Sequence, residues 1–265
     1  MAWADDLDDN YEQLKEAQTK KDAAGVKKFA VEAYKQAKAE QTPERQEYAK
    51  QVQQFAEYSL YVTGTADPAK MVELFDTLIE LNPKSPYVEQ GAGVYLAAQA
   101  KAGAKQQQAG ATKILSGDPN NIDALGVLTD TGNAAYANRL VNALKSKAKP
   151  EGVAQADWDK RKNAMLGGAY YVVGASACSK SVWADCDKSL RLALPYVGGN
   201  PALNGQTLFY LGLANYQMGK LINDRPKMQE AQKFSEQSAA IASPMQRQAA
   251  TNAAAIKQEL LGARR

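Results

Sequence analysis

The side chains in this sequence best suited to chemistry are two cysteines, Cys178 and Cys186, and two pairs of aspartates, Asp157 with Asp159 and Asp185 with Asp187. Histidine is absent from all 265 residues. That removes the commonest general base and the commonest metal ligand together. An acid–base pair would have to come from Asp, Glu, Lys or Tyr. Each aspartate pair is separated by a single residue, Trp158 or Cys186. On a helix such neighbours point about 200° apart and cannot share a proton. Gly-Ala-Gly at 91–93 and Gly-Gly at 167–168 and 198–199 lack the strand, loop and lysine of a phosphate-binding loop. Two cysteines are too few for a structural zinc site. The expectation is a chain that is not an enzyme and uses no metal or cofactor.

The cysteines lie eight residues apart and flank a predicted turn between two helices. A disulfide stapling that turn fits this spacing, and so do two buried free thiols. A disulfide points to an oxidising compartment such as a bacterial periplasm. The opening Met-Ala-Trp-Ala-Asp-Asp has neither the charged nor the apolar segment of a signal peptide. The chain is expected to be periplasmic or secreted, a mature form with a start methionine, with the cytoplasm as the alternative. No run of about 18 apolar residues is present, so no membrane-spanning helix is expected.

The residues that must position any site are helical. Ala, Gln, Lys, Glu and Leu dominate, and Val and Ile do not cluster beyond pairs. Lys and Arg number 32 against 29 Asp and Glu, a net charge of +3. These charges are interleaved, not gathered on one basic face, which argues against a nucleic-acid partner. Asp5, Asp6, Asp8 and Asp9 near the start complement a helix dipole, and Arg264-Arg265 read as a solvated end.

Apolar spacing and turn residues give helices over about 5–21, 23–40, 44–62, 68–81, 86–103, 104–115, 123–131, 133–147, 154–174, 180–194, 202–218 and 226–242, with a solvating cap at 245–261. Lys149-Pro150-Glu151-Gly152 is the clearest break. The domain reading is therefore 1–148, a short bend at 149–153, and 154–265.

Residues 165–174 read Met-Leu-Gly-Gly-Ala-Tyr-Tyr-Val-Val-Gly, and 210–219 read Tyr-Leu-Gly-Leu-Ala-Asn-Tyr-Gln-Met-Gly. The Leu-Gly pairs are 211 − 166 = 45 residues apart. Both segments resemble the first helix of a tetratricopeptide repeat, with its Leu-Gly-x-x-Tyr signature and closing glycine. Pro83 and Pro119, 36 residues apart, resemble the family's repeat-closing prolines. The resemblance implies an all-α, right-handed solenoid of about six helical hairpins plus a capping helix. Gly64, Gly103, Gly132, Gly174 and Gly219 are read as the residues that close the first helices, with Lys21 in place of a glycine in the first hairpin.

The resemblance also assigns roles. Leu166, Gly167, Tyr170, Leu211 and Gly212 become packing residues. The first helices line a concave groove, and counting back from the closing glycines places Tyr61, Tyr171, Phe209, Leu213 and Tyr216 in it. Asn215 stands where the family has a buried tyrosine. Either the register shifts to Tyr216 or a polar group is tolerated in the core. Paired bases on successive first helices, which some members use to grip a C-terminal carboxylate, are missing at these positions. The function implied is a non-catalytic scaffold that binds a protein or peptide along the groove. The alternative is a permanent structural subunit of a larger assembly, such as one in the cell envelope. The sequence does not define an oligomeric state.

Overall fold

The structure is a computed structural model that describes residues 2–262. Arg264 and Arg265 lie outside the described residues. The described chain is all helical: α1 (Ala2–Thr19), α2 (Ala23–Ala39), α3 (Gln46–Ala66), α4 (Met71–Leu81), α5 (Pro86–Ala102), α6 (Ala104–Gly117), α7 (Ile122–Thr129), α8 (Ala134–Ser146), α9 (Gln155–Ser179), α10 (Trp183–Val197), α11 (Pro201–Leu221), α12 (Arg225–Ala239) and α13 (Gln246–Gly262). A single 3-10 turn, Pro43–Arg45, leads into α3.

Three of the breaks follow one rule. Asp67, Asn82 and Asp118 each precede a proline, which disfavours the helical region for the residue before it. Each is extended and closes the preceding helix with a backbone bond to Thr63, Leu78 or Ile114. Each side chain then accepts a hydrogen bond from the backbone two residues on, at Ala69, Lys84 or Asn120. The short polar side chain thus mimics a turn, and the proline forbids helix continuation.

A second rule closes three other hairpins. Lys21, Ser181 and Asn223 have φ of 56°, 59° and 53°. The residue after each donates its N–H to a carbonyl five back, at Ala17, Ala177 or Gly219. This is the left-handed helix end with its paired backbone bonds, here built without glycine. Lys21 therefore does close its helix. Gly174 and Gly219 do not close theirs: α9 runs on to Ser179 and α11 to Leu221. These glycines instead sit where partner helices approach. A Cβ on Gly174 would fall 2.6 Å from Leu190, and one on Gly219 would fall 2.7 Å from Met228. Gly64 is likewise interior, since α3 continues to Ala66. Gly103 and Gly132, at φ 123° and 82°, are true breaks.

The chain forms two compact units that meet between Val127 and Leu128, inside α7. In the first, each of α1 to α5 packs on the helix next in sequence, and α1 on α3, α2 on α4, α3 on α5 and α4 on α6 also touch. In the second, α8 to α13 pack in sequence, and α9 also packs on α11 and α11 on α13. Lys149–Val153 connects α8 to α9 within this second unit. Helix α2, for example, buries one stripe formed by Val26, Ala30, Ala33, Tyr34 and Ala37.

Cys178 and Cys186 form a disulfide, with Cα atoms 5.1 Å apart. Its place follows from the hairpin lengths. From Leu166 to Ser181 is 15 residues, whereas from Leu211 to Asn223 is 12. The α9 hairpin is thus three residues longer, close to one helical turn. The disulfide spans that extension, joining the end of α9 to the start of α10. Closing so short a loop stabilises the fold by about 2–3 kcal/mol. Native protein, denatured without reductant, is therefore expected to show no free thiol, and Cys178→Ser/Cys186→Ser is expected to lower denaturant stability by about that amount.

Candidate functional site

The first unit carries a continuous run of aromatic rings across its odd-numbered helices. Tyr48, Phe55, Tyr58 and Tyr61 follow one another along α3 at spacings of seven, three and three. That series drifts slowly around a helix, so its start faces α1 and its end faces α5. Tyr11 of α1 meets Tyr48 and Phe55 edge-on, at 5.9 and 5.3 Å between ring centres. Phe55 leads to Tyr58 at 6.4 Å. Tyr87 of α5 lies 5.7 Å from Tyr58 and stacks on Tyr61 at 5.4 Å. Tyr58 is 40% exposed, and the other five rings are half-buried.

Charge gathers at the α1 end of the strip. The Lys15 ammonium sits 4.6 Å from the centre of Tyr11, and the Arg45 guanidinium 5.2 Å from that of Tyr48. Arg45 also donates to Asp8 at 2.7 Å. Burial, and then a hydrogen bond to Asp8, push the Tyr48 phenol up to about 12. Tyr48 therefore stays a neutral donor through the physiological range.

In the second unit the residues expected to line a groove divide into two groups. Tyr171 of α9 donates its hydroxyl to Gln206 Oε1 of α11, and its ring lies 6.4 Å from Tyr210. Burial pushes its phenol to about 12. Phe209 is only 6% exposed and packs edge-on against Tyr210 at 5.3 Å, supporting that ring from beneath. Tyr210 itself is half-buried. Leu213 and Tyr216 sit one and two turns further along α11. With Gln217, Asn252 and Ile256 they line a cleft of about 130 Å³ between α11 and α13. The Tyr216 hydroxyl donates to Glu259 at 2.7 Å, and its ring packs on Met228, Ile256 and Leu260. Tyr171 and Tyr216 thus both spend their hydroxyls inside the protein.

The residues assigned to packing lie at helix crossings. Leu166 and Gly167 of α9 and Leu211 and Gly212 of α11 are buried. A Cβ on Gly167 would fall 3.0 Å from Tyr196, and one on Gly212 would fall 2.6 Å from Ser235. Tyr170 is half-buried and stacks on Tyr196.

Asn215 is fully buried. It donates to Asp187 at 2.6 Å and to the Leu211 carbonyl at 2.9 Å. Asp187 also holds Arg191 through both oxygens, and Arg191 reaches Glu230 at 2.9 Å. The chain of partners ties α10, α11 and α12 together. The Asn215 amide nitrogen has two partners while its Oδ1 has none, and Tyr216 follows it in the same register.

Counting from the left-handed turns, not from glycines, exposes a residue the sequence reading missed. Ten positions before Lys21, Ser181 and Asn223 stand Tyr11, Tyr171 and Leu213. Tyr11 is the first-unit counterpart of Tyr171, and Lys21 was the signal that could have located it.

Among the described residues, no group of three or more His, Cys, Asp and Glu side chains is placed to hold a metal ion. No helix among them is long and apolar enough to cross a membrane. The chain matches no known protein-family model, no curated protein and no solved structure. The class it defines is that of an all-α protein whose helices pack as consecutive pairs.

Two outcomes follow. Asn215→Ala removes a buried donor from Asp187 and is expected to cost about 1–3 kcal/mol, read from denaturant unfolding. For Tyr48 and Tyr171, the folded chain favours the neutral phenol. Their contribution to stability is therefore complete below the ordinary tyrosine pKa of 10.0 and lost as pH rises toward about 12. Unfolding measured across that window should fall less steeply with pH in Tyr48→Phe/Tyr171→Phe than in the unaltered protein.

Proposed function

We propose that this chain is a tetratricopeptide-like helical solenoid and a non-catalytic scaffold, which binds a protein or peptide segment along the face formed by its odd-numbered helices. Support for the architecture comes from helices two apart in sequence that touch, as first helices do in stacked hairpins, and from the recurring turn at Lys21, Ser181 and Asn223. The absence of histidine and the scattered carboxylates support a role other than catalysis.

The observation that carries the binding reading is the run of six aromatic rings on α1, α3 and α5. Rings packed wholly for stability would be covered, whereas all six of these residues keep some exposure, Tyr58 the most at 40%. Tyrosine offers a rigid apolar surface with a polar tip, at little cost in side-chain entropy, which suits recognition of a polypeptide. On this reading Tyr58 and Tyr61 make the first contacts, and Tyr171 and Leu213 extend the same kind of surface in the second unit. The disulfide fits work in an oxidising compartment.

Selection of a displayed random-peptide library on the full-length chain tests this. Peptides recovered on the unaltered protein are expected to lose affinity about tenfold or more against Tyr58→Ala. A parallel Tyr171→Ala arm shows whether the second unit takes part. Failure to recover any peptide, or peptides that bind Tyr58→Ala equally well, would overturn the reading.

A further inference from the structure

We infer that the end of the second unit carrying Leu221, Ile222 and Leu261 docks on an anionic lipid surface. These are the three most exposed large apolar side chains among the described residues, at 82%, 67% and 54%. Leu221 ends α11, Ile222 follows it, and Leu261 lies at the end of α13, about 40 residues later in the chain. The fold brings them together: Arg225 donates to the Leu260 carbonyl at 2.9 Å, and Lys220 pairs with Glu259 at 3.3 Å.

The turn itself does not call for apolar residues. Leu221 and Ile222 stand two and one positions before the left-handed Asn223. The same two positions before Lys21 are Thr19 and Lys20, and before Ser181 they are Ser179 and Lys180. All four of those side chains are polar and exposed. An aliphatic pair on an identical turn is a departure that folding does not explain.

Area and charge select the occupant. Three aliphatic side chains, with Val182 on the neighbouring hairpin, expose a few hundred Å² at most. That is well below the ~800 Å² per partner of a stable protein interface. A small protruding apolar tip suits shallow insertion between lipid headgroups. Lys220, Arg225 and Lys227 lie within six residues of Leu221 in sequence, and Val182 has Lys180 two residues before it and Asp185 three after. Of the nearby acids, Glu259 is taken by Tyr216 and Lys220, and Asp224 caps α12 through the Lys227 N–H. With Lys220 and Glu259 paired, Arg225 and Lys227 outweigh Asp224 by one charge, and that small positive excess complements anionic headgroups.

Vesicle co-sedimentation of the full chain tests the inference, using phosphatidylcholine alone and phosphatidylcholine with about 30% phosphatidylglycerol. The unaltered protein is expected to sediment with the anionic vesicles and to be released by high salt. Leu221→Ser/Ile222→Ser, which alters only exposed positions and should melt like the parent, is expected to bind about tenfold or more weakly. No sedimentation with anionic vesicles, or equal binding by the variant, overturns the proposal. So does light scattering that shows a dimer dispersed by the same substitutions without vesicle binding, because the end would then be a contact between copies.

Discussion

Most helices here are held by burying a face against the helix next in sequence, and the rest of the structure depends on that packing. A single helix of this length cannot form a core alone. Sequential packing makes the helix ends decisive, because each chain reversal sets which stripe meets which. Two turn chemistries make half of these reversals: an Asx residue before proline, and a non-glycine residue in the left-handed region. The close approaches at Gly167, Gly174, Gly212 and Gly219 then let paired helices settle against one another. The disulfide compensates where the α9 hairpin runs one turn long.

Much of this was legible in the sequence, because the turn residues act locally. Asp67-Pro68, Asn82-Pro83 and Asp118-Pro119 mark breaks whatever surrounds them, and Ser85 and Asn200 cap helices as such residues do. Gly174 and Gly219 misled because glycine serves two purposes. It ends helices, and it also permits close crossing within them, and only the packed partner tells which. Counting groove positions from those glycines therefore reached Tyr171 but passed over Tyr11.

The aromatic strip could not be read from one stretch. Its rings come from three helices, and only α3 carries a visible series at Tyr48, Phe55, Tyr58 and Tyr61. Tyr87 joins because α5 lies beside α3. Likewise the exposure of Leu221 and Ile222 depends on where α13 ends. In the second unit, tertiary packing explains why Phe209 is buried and why Tyr216 is held by Glu259.

The account rests on the odd-numbered helices of the first unit facing a polypeptide. Site-specific incorporation of a photo-crosslinking phenylalanine at position 58, with position 35 on the exposed side of α2 as the control, tests this most directly in the cells that make the protein. The account predicts a discrete covalent adduct with another polypeptide from position 58 and none from position 35. Adducts from position 35 alone, or none from position 58 in protein shown to be folded and oxidised, would contradict it.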